Sequence, residues 1–155
     1  MPSFAHTSRL AVLSAFAATA AGLASPALAD DAAALAAAAK EKGAVTTSSG
    51  LVFLSVKEGS GPKPTAIDRV KVNYRGTFTD GREFDSSAKN GGPISFPLNK
   101  VIKCWTEGVQ MMKVGGKAKL TCPSATAYGP RGAGGGAIPP DATLQFDVEL
   151  LSIEK

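Results

Sequence analysis

The stretch Val101–Leu120, VIKCWTEGVQMMKVGGKAKL, changes its apolar period halfway along, and that change decides the fold class. Trp105, Val109 and Met112 recur at i, i+4 and i+7, one face of an α-helix. Gly115-Gly116 then stands where a helix C-terminus is usually capped. Beyond the glycines, Ala118, Leu120 and Cys122 alternate with polar residues, the period of a half-buried strand.

Working outward, the strand period dominates. Val70, Val72 and Tyr74 alternate with Lys71, Asn73 and Arg75, and Asp80-Gly81 is a hairpin turn signal between Thr77-Phe78 and Glu83-Phe84. Leu51–Lys57 is a short apolar run closed by the turn cluster Glu58–Pro62. Gly91-Gly92-Pro93 breaks the chain before Ile94, Phe96 and Leu98, and Leu144, Phe146, Val148 and Leu150 alternate near the end. About five antiparallel strands and one short helix predict an α+β domain whose sheet wraps one face against that helix.

The 155 residues suffice for one such domain, read as 50–155. Residues 1–29 have the pattern of an export signal: Arg9, an apolar stretch over Leu10–Leu23, and a small-x-small site at Ala27-Leu28-Ala29. The apolar run is short for a membrane span, and no cysteine follows it as a lipoprotein would require. A periplasmic location without a membrane anchor is expected. Residues 30–49 read as an alanine-rich arm, with a short helix over Asp31–Lys42 that builds no core, followed by a polar linker over Gly43–Gly50. An arm this short argues for a monomer.

Several function classes fall away. The only histidine, His6, lies in the export signal, so the mature chain offers no histidine triad and no His-based metal site. Removing Arg9 lowers the net charge from +4 to +3, and the cations form no stripe interleaved with aromatics, which argues against nucleic acid. Gly132-x-Gly134-x-x-Ala137 imitates a dinucleotide fingerprint, but Pro139-Pro140 denies the helix that motif needs. Gly115-Gly116-Lys117 fails as a phosphate loop because Ala118 and Met111 stand where Ser or Thr and Gly are required. Asp85 has no obvious carboxylate partner, and Ser86 has no histidine base. Cys104 and Cys122, an even pair in an exported chain, favour a disulfide over two buried thiols. Tyr74, Phe84 and Tyr128 sit beside turn signals, where an aromatic can face a cleft rather than the core.

Four collinear blocks, VKVNYRGTFTDGREFDSS, VIKCWTEGVQMMKVGGKAKL, AYGPRGAGGGAIPP and ATLQFDVELL, resemble the FKBP-type peptidyl-prolyl cis/trans isomerases from about Gly50 to Glu154. The resemblance implies a five-stranded antiparallel sheet curled around one short helix. It implies a prolyl pocket containing Tyr74, Phe84, Asp85, Phe96, Val101, Ile102, Trp105, Tyr128 and Phe146, with Trp105 as its floor and Ile138 on the rim loop. The Tyr128 hydroxyl and the Ile102 N–H would meet substrate carbonyls, and Asp85, with Tyr74, would orient polar groups at the edge. Three positions depart from the compact members of the family: Ile94 replaces a frequent aromatic wall residue, Asn90 an arginine that often pairs with the aspartate, and Cys104 a glycine.

The implied activity needs no cofactor or metal. Its partners would be proline-containing polypeptide clients and macrolides of the rapamycin or tacrolimus type. The competing function is a proline-segment binding module or holding chaperone with little catalysis. The glycine-rich run itself reads as a flexible crest on the pocket rim.

Overall fold

The computed structural model describes residues 26–154. In chain order these form α1 (Pro26–Ala39), β1 (Val45–Thr46), β2 (Val52–Lys57), β3 (Arg69–Phe78), β4 (Glu83–Ser86), β5 (Ile94–Pro97), α2 (Lys103–Gln110), β6 (Lys117–Cys122) and β7 (Leu144–Glu154). The expected export signal lies outside the described residues apart from Pro26–Ala29, which open α1. Among the described residues no helix is long and apolar enough to cross a membrane.

The sheet is antiparallel, in the order β1-β2-β6-β7-β3-β4. Strand β5 pairs with β3 over Arg69–Val72, and β4 pairs with the same edge of β3 further along, over Arg75–Thr77. These two short strands share one position, so the sheet has the five expected places plus the two-residue β1. Alternation sets the faces. Val70, Val72, Leu120, Leu144, Val148 and Leu150 point to the concave side and are buried together. Each fully buried aliphatic side chain contributes about 1.5–3 kcal/mol. Helix α2 lies in that concavity and buries Cys104, Trp105 and Val109 against the sheet.

Helix α2 is shorter than its apolar period suggests. It ends at Gln110, where the Met111 N–H turns back to the Gly108 carbonyl and the Met112 N–H to that of Val109. Met112 stays buried beyond the helix end. Gly115 is not its cap; its N–H donates to the Leu150 carbonyl at 2.8 Å. The expected disulfide is present: Cys104 in α2 is bonded to Cys122 at the end of β6, with Cα atoms 5.8 Å apart.

The N-terminal segment departs from the expectation of a soft arm. Val52 and Thr121 pair across β2 and β6, Gln145 and Thr77 continue that row across the sheet, and the row faces away from the core. Yet Val52, Thr121 and Thr77 are buried, as is Ala38 of α1. Helix α1 packs against β2 and β6, over this row. Alanine lets the helix come close, and Asp31 anchors it. One carboxylate oxygen accepts from the Thr79 hydroxyl, the other from the Thr143 N–H, both at 2.9 Å. Glu41 reaches Lys119 at 3.8 Å beyond the other end. The expected linker is also structured, since β1 pairs with β2 through the turn closed by the Thr47 N–H on the Leu51 carbonyl.

Two stability measurements follow from these contacts. The disulfide closes a loop of 18 residues. Cys104→Ala/Cys122→Ala should therefore lose about 3 kcal/mol in urea unfolding, and an unchanged midpoint would remove the bridge's stabilising role. Asp31→Ala leaves the buried Thr143 N–H without its acceptor and should cost about 1–3 kcal/mol; a loss below ~0.5 kcal/mol would mean that Asp31 does not hold α1 in place.

Candidate active site

On the concave side, α2 leaves part of the sheet uncovered, and the gap is a cleft of about 450 Å³, in the usual size range for small-ligand sites. Trp105, 5 % exposed, forms its floor. Three rings crowd the indole: Tyr74 edge-on at 5.2 Å between centroids, Phe146 edge-on at 5.3 Å, and Phe96 tilted at 5.2 Å. Phe84 stands against Phe146 at 5.6 Å, again edge-on. Such contacts are each worth about 0.5–1.5 kcal/mol beyond area burial and hold the floor in one orientation. The buried indole N–H has no acceptor among the described residues.

Two local departures from regular strand build the wall. Gly76 pairs with Asp85 but Thr77 pairs with Glu83, so Phe84 is the extra residue of a β-bulge. The bulge explains how consecutive residues Phe84 and Asp85 both line the cleft, which period-2 alternation forbids. Gly76 is the second departure. A Cβ there would stand 2.6 Å from the Phe84 ring and 3.0 Å from that of Phe146, so only glycine lets both rings lie over the strand.

The polar corner is Asp85. It accepts from the Tyr74 hydroxyl at 2.6 Å, the Ser86 N–H at 2.8 Å and the Asn90 amide at 3.0 Å. Asn90 thus takes the place of the absent arginine with a neutral donor. Burial, followed by the Asp85 hydrogen bond, pushes the Tyr74 phenol up to about 12. Burial, followed by the charge of Asp85, also raises Tyr128 above the ordinary phenol range. Both hydroxyls keep their protons at neutral pH. That of Tyr128, on a side chain 39 % exposed at the cleft edge, has no hydrogen-bond partner among the described residues.

The structure brings Tyr74, Phe84, Asp85, Ile94, Phe96, Val101, Ile102, Trp105, Tyr128 and Phe146 to one cleft. Val101 and Ile102 reach it from the extended pair of residues that leads into α2. Ile138 is the exception. Its N–H and C=O both pair with Ala133 at 3.0 Å, and its side chain is buried in the core cluster rather than on the rim. This pairing gives the glycine run the form of a tight hairpin. Gly132, at φ 66°, passes directly under the Ile138 carbonyl, where any Cβ would collide. Sequence reasoning missed Lys100, which lines the cleft from the 3₁₀ turn Leu98–Lys100.

Solved structures share this fold of an antiparallel sheet half covered by one short helix. The crystal structure of FkpA from Escherichia coli matches with a TM-score of 0.79 at 48 % identity, over 83 % of this chain and 59 % of that one. A peptidyl-prolyl cis-trans isomerase structure from Pseudomonas syringae pv. tomato matches at 0.77 and 36 % identity, over 86 % of this chain and all of that one. A family model, FKBP-type peptidyl-prolyl cis-trans isomerase, matches residues 61–151. The FKBP-type isomerase FkpA of Aeromonas hydrophila is 58 % identical over 121 residues, 78 % of this chain and 44 % of that protein. The chain belongs to the FKBP-type peptidyl-prolyl cis-trans isomerase family. It spans less than half the length of the FkpA relatives it matches.

The chain's two tyrosines both lie in this cleft, so tyrosinate absorbance reports on the site alone. Native titration should begin above the ordinary value of 10.0, with Tyr74 near 12, and Asp85→Asn should bring that step down. Because the folded value lies above the unfolded one, Tyr74's contribution to stability is intact below pH 10 and is lost between about pH 10 and 12. A native titration centred near 10 would contradict the Tyr74–Asp85 bond.

Proposed function

We propose that this chain catalyses cis/trans isomerisation of X-Pro bonds in polypeptide clients. The observation that carries the reading is the cleft itself: a mostly apolar recess floored by Trp105 and roomy enough for a prolyl ring, with one protonated hydroxyl free at its edge. An X-Pro bond rotates over a barrier of about 18–20 kcal/mol because rotation breaks amide resonance. The planar amide is more dipolar than the twisted one. Aromatic walls that exclude water therefore disfavour the planar state relative to the twisted state.

The residues take distinct roles. Trp105, Phe84, Phe96 and Phe146 enclose the prolyl ring, with Ile94 and Val101 at the sides. The Tyr128 hydroxyl and the Ile102 N–H donate to client carbonyls and fix the peptide on either side of the rotating bond. Asp85 holds the Tyr74 ring edge-on to the indole and orients the polar groups at the cleft edge. No proton is transferred and no covalent intermediate forms, so the absence of histidine from the domain is no obstacle.

The clients are exported proteins, reached after removal of residues 1–29, and the place of action is the periplasm. Uncatalysed prolyl steps take tens to hundreds of seconds, long enough to limit folding there. Macrolides of the rapamycin or tacrolimus type would occupy the same cleft. Helix α1 packs on the chain's own β2 and β6, and the short N-terminal arm favours a monomer.

Exchange rates of short X-Pro peptides, with and without rapamycin, test the reading. Catalysis suppressed by rapamycin is expected, and an uncatalysed rate at high protein concentration would overturn it. Tyr128→Phe should lower kcat/KM about threefold to tenfold, the worth of one hydrogen bond. Trp105→Leu should lower it more than about tenfold, since lost apolar pocket contacts cost about 1–3 kcal/mol. Circular dichroism checks that both variants fold; full activity in both would place the reaction elsewhere.

A further inference from the structure

We propose that Lys100 makes the cleft selective for prolines flanked, within two residues, by an acidic side chain. The inference rests on the reading of this cleft as the proline site and adds to it a class of client.

Among the described residues only two charged ones line the cleft, Asp85 and Lys100, and their situations are opposite. Asp85 is committed: three donors, from Tyr74, Ser86 and Asn90, already occupy its two oxygens. Lys100 is uncommitted. Seven ion pairs tie cations to carboxylates among the described residues, and none includes Lys100, although it stands exposed on the 3₁₀ turn beside Val101. Lys103, one residue beyond Ile102 and also exposed, enters none of them either. Beside Val101 and Ile102 the mouth therefore carries two exposed cations, neither of them in an ion pair among the described residues.

A peptide seated on the Ile102 N–H passes close to this turn. A carboxylate beside its proline would meet a cation that has no bond to give up, while a cationic residue there would be repelled. An apolar floor that grips any prolyl ring cannot itself distinguish flanking residues, so the mouth supplies the discrimination. Exposed ion pairs change an equilibrium by up to about fivefold each, and salt screens them.

Trp105 is the only tryptophan, and its fluorescence reports occupancy of the cleft whether or not catalysis follows. The test measures Kd by that signal, and kcat/KM by exchange, for matched peptides carrying Glu, Gln or Lys beside proline. At low salt the Glu peptide should bind at least about threefold more tightly than the Lys peptide. High salt should erase the difference, and Lys100→Glu should reverse it. Lys63→Glu, an equal change of net charge at an exposed position outside the cleft, should leave it intact. Equal affinities, or a preference that survives Lys100→Glu, would overturn the proposal. Charge-selective binding without catalysis would support it while sinking the isomerase reading, so the two failures are distinct.

Discussion

A mismatch of lengths governs this molecule. Helix α2 has eight residues and spans about 12 Å, whereas β3 and β7, of ten and eleven residues, run about 33–36 Å beneath it. The helix cannot cover the concave face it packs on. The covered part becomes core, with Leu120, Val148 and Leu150 fully or almost fully buried. The uncovered part, lined by the rings of Tyr74, Phe84, Phe96, Trp105 and Phe146, becomes the cleft. Trp105 belongs to both, since its ring is core on one side and floor on the other. The disulfide one residue earlier ties that part of the helix to β6, so the floor is fixed to the sheet by a covalent bond as well as by packing.

The polar atoms of the cleft follow a matching division. Asp85 spends its hydrogen-bonding capacity on the protein and so sets the geometry of Tyr74. Tyr128 spends none on the described protein and remains available. Two tyrosines with raised pKa values thus differ in place, one tied into the frame and one, in the proposed function, the donor that a client would meet. The difference lies in the partners, since burial is the leading cause of both shifts.

The strands and their faces were legible because most inner positions are large and apolar while outer ones are charged or polar, as in Val70-Lys71-Val72-Asn73. The family blocks carried most of the cleft. What sequence missed has physical reasons. The apolar period runs past the end of α2 because Met112, outside the helix, still turns onto the core. A bulge leaves no mark in a period-2 pattern, so Phe84 and Asp85 could be brought to one cleft only by resemblance. The resemblance put Ile138 on the rim loop, but its backbone pairs with Ala133 and its side chain packs into the core cluster. Lys100 reads as an ordinary solvated lysine until the turn is seen to bend toward the gap. Docking of α1 was illegible because alanine gives little contrast, and the surface it covers is largely threonine, which reads as solvent-facing.

That docked helix makes the two ends of the sheet unequal. At Thr121, β6 has α1 on its outer side and the core on its inner, while at Lys117 its outer side is open to water. Backbone amides exchange their hydrogens with solvent only when local structure opens, and layers on both faces make opening rarer. Strand β6 should therefore exchange slowly at the Thr121 end and faster at the Lys117 end. Phe146, in the cleft wall, pairs with Leu120 next to Thr121, so the cleft wall would be rooted in the slowly exchanging end of β6.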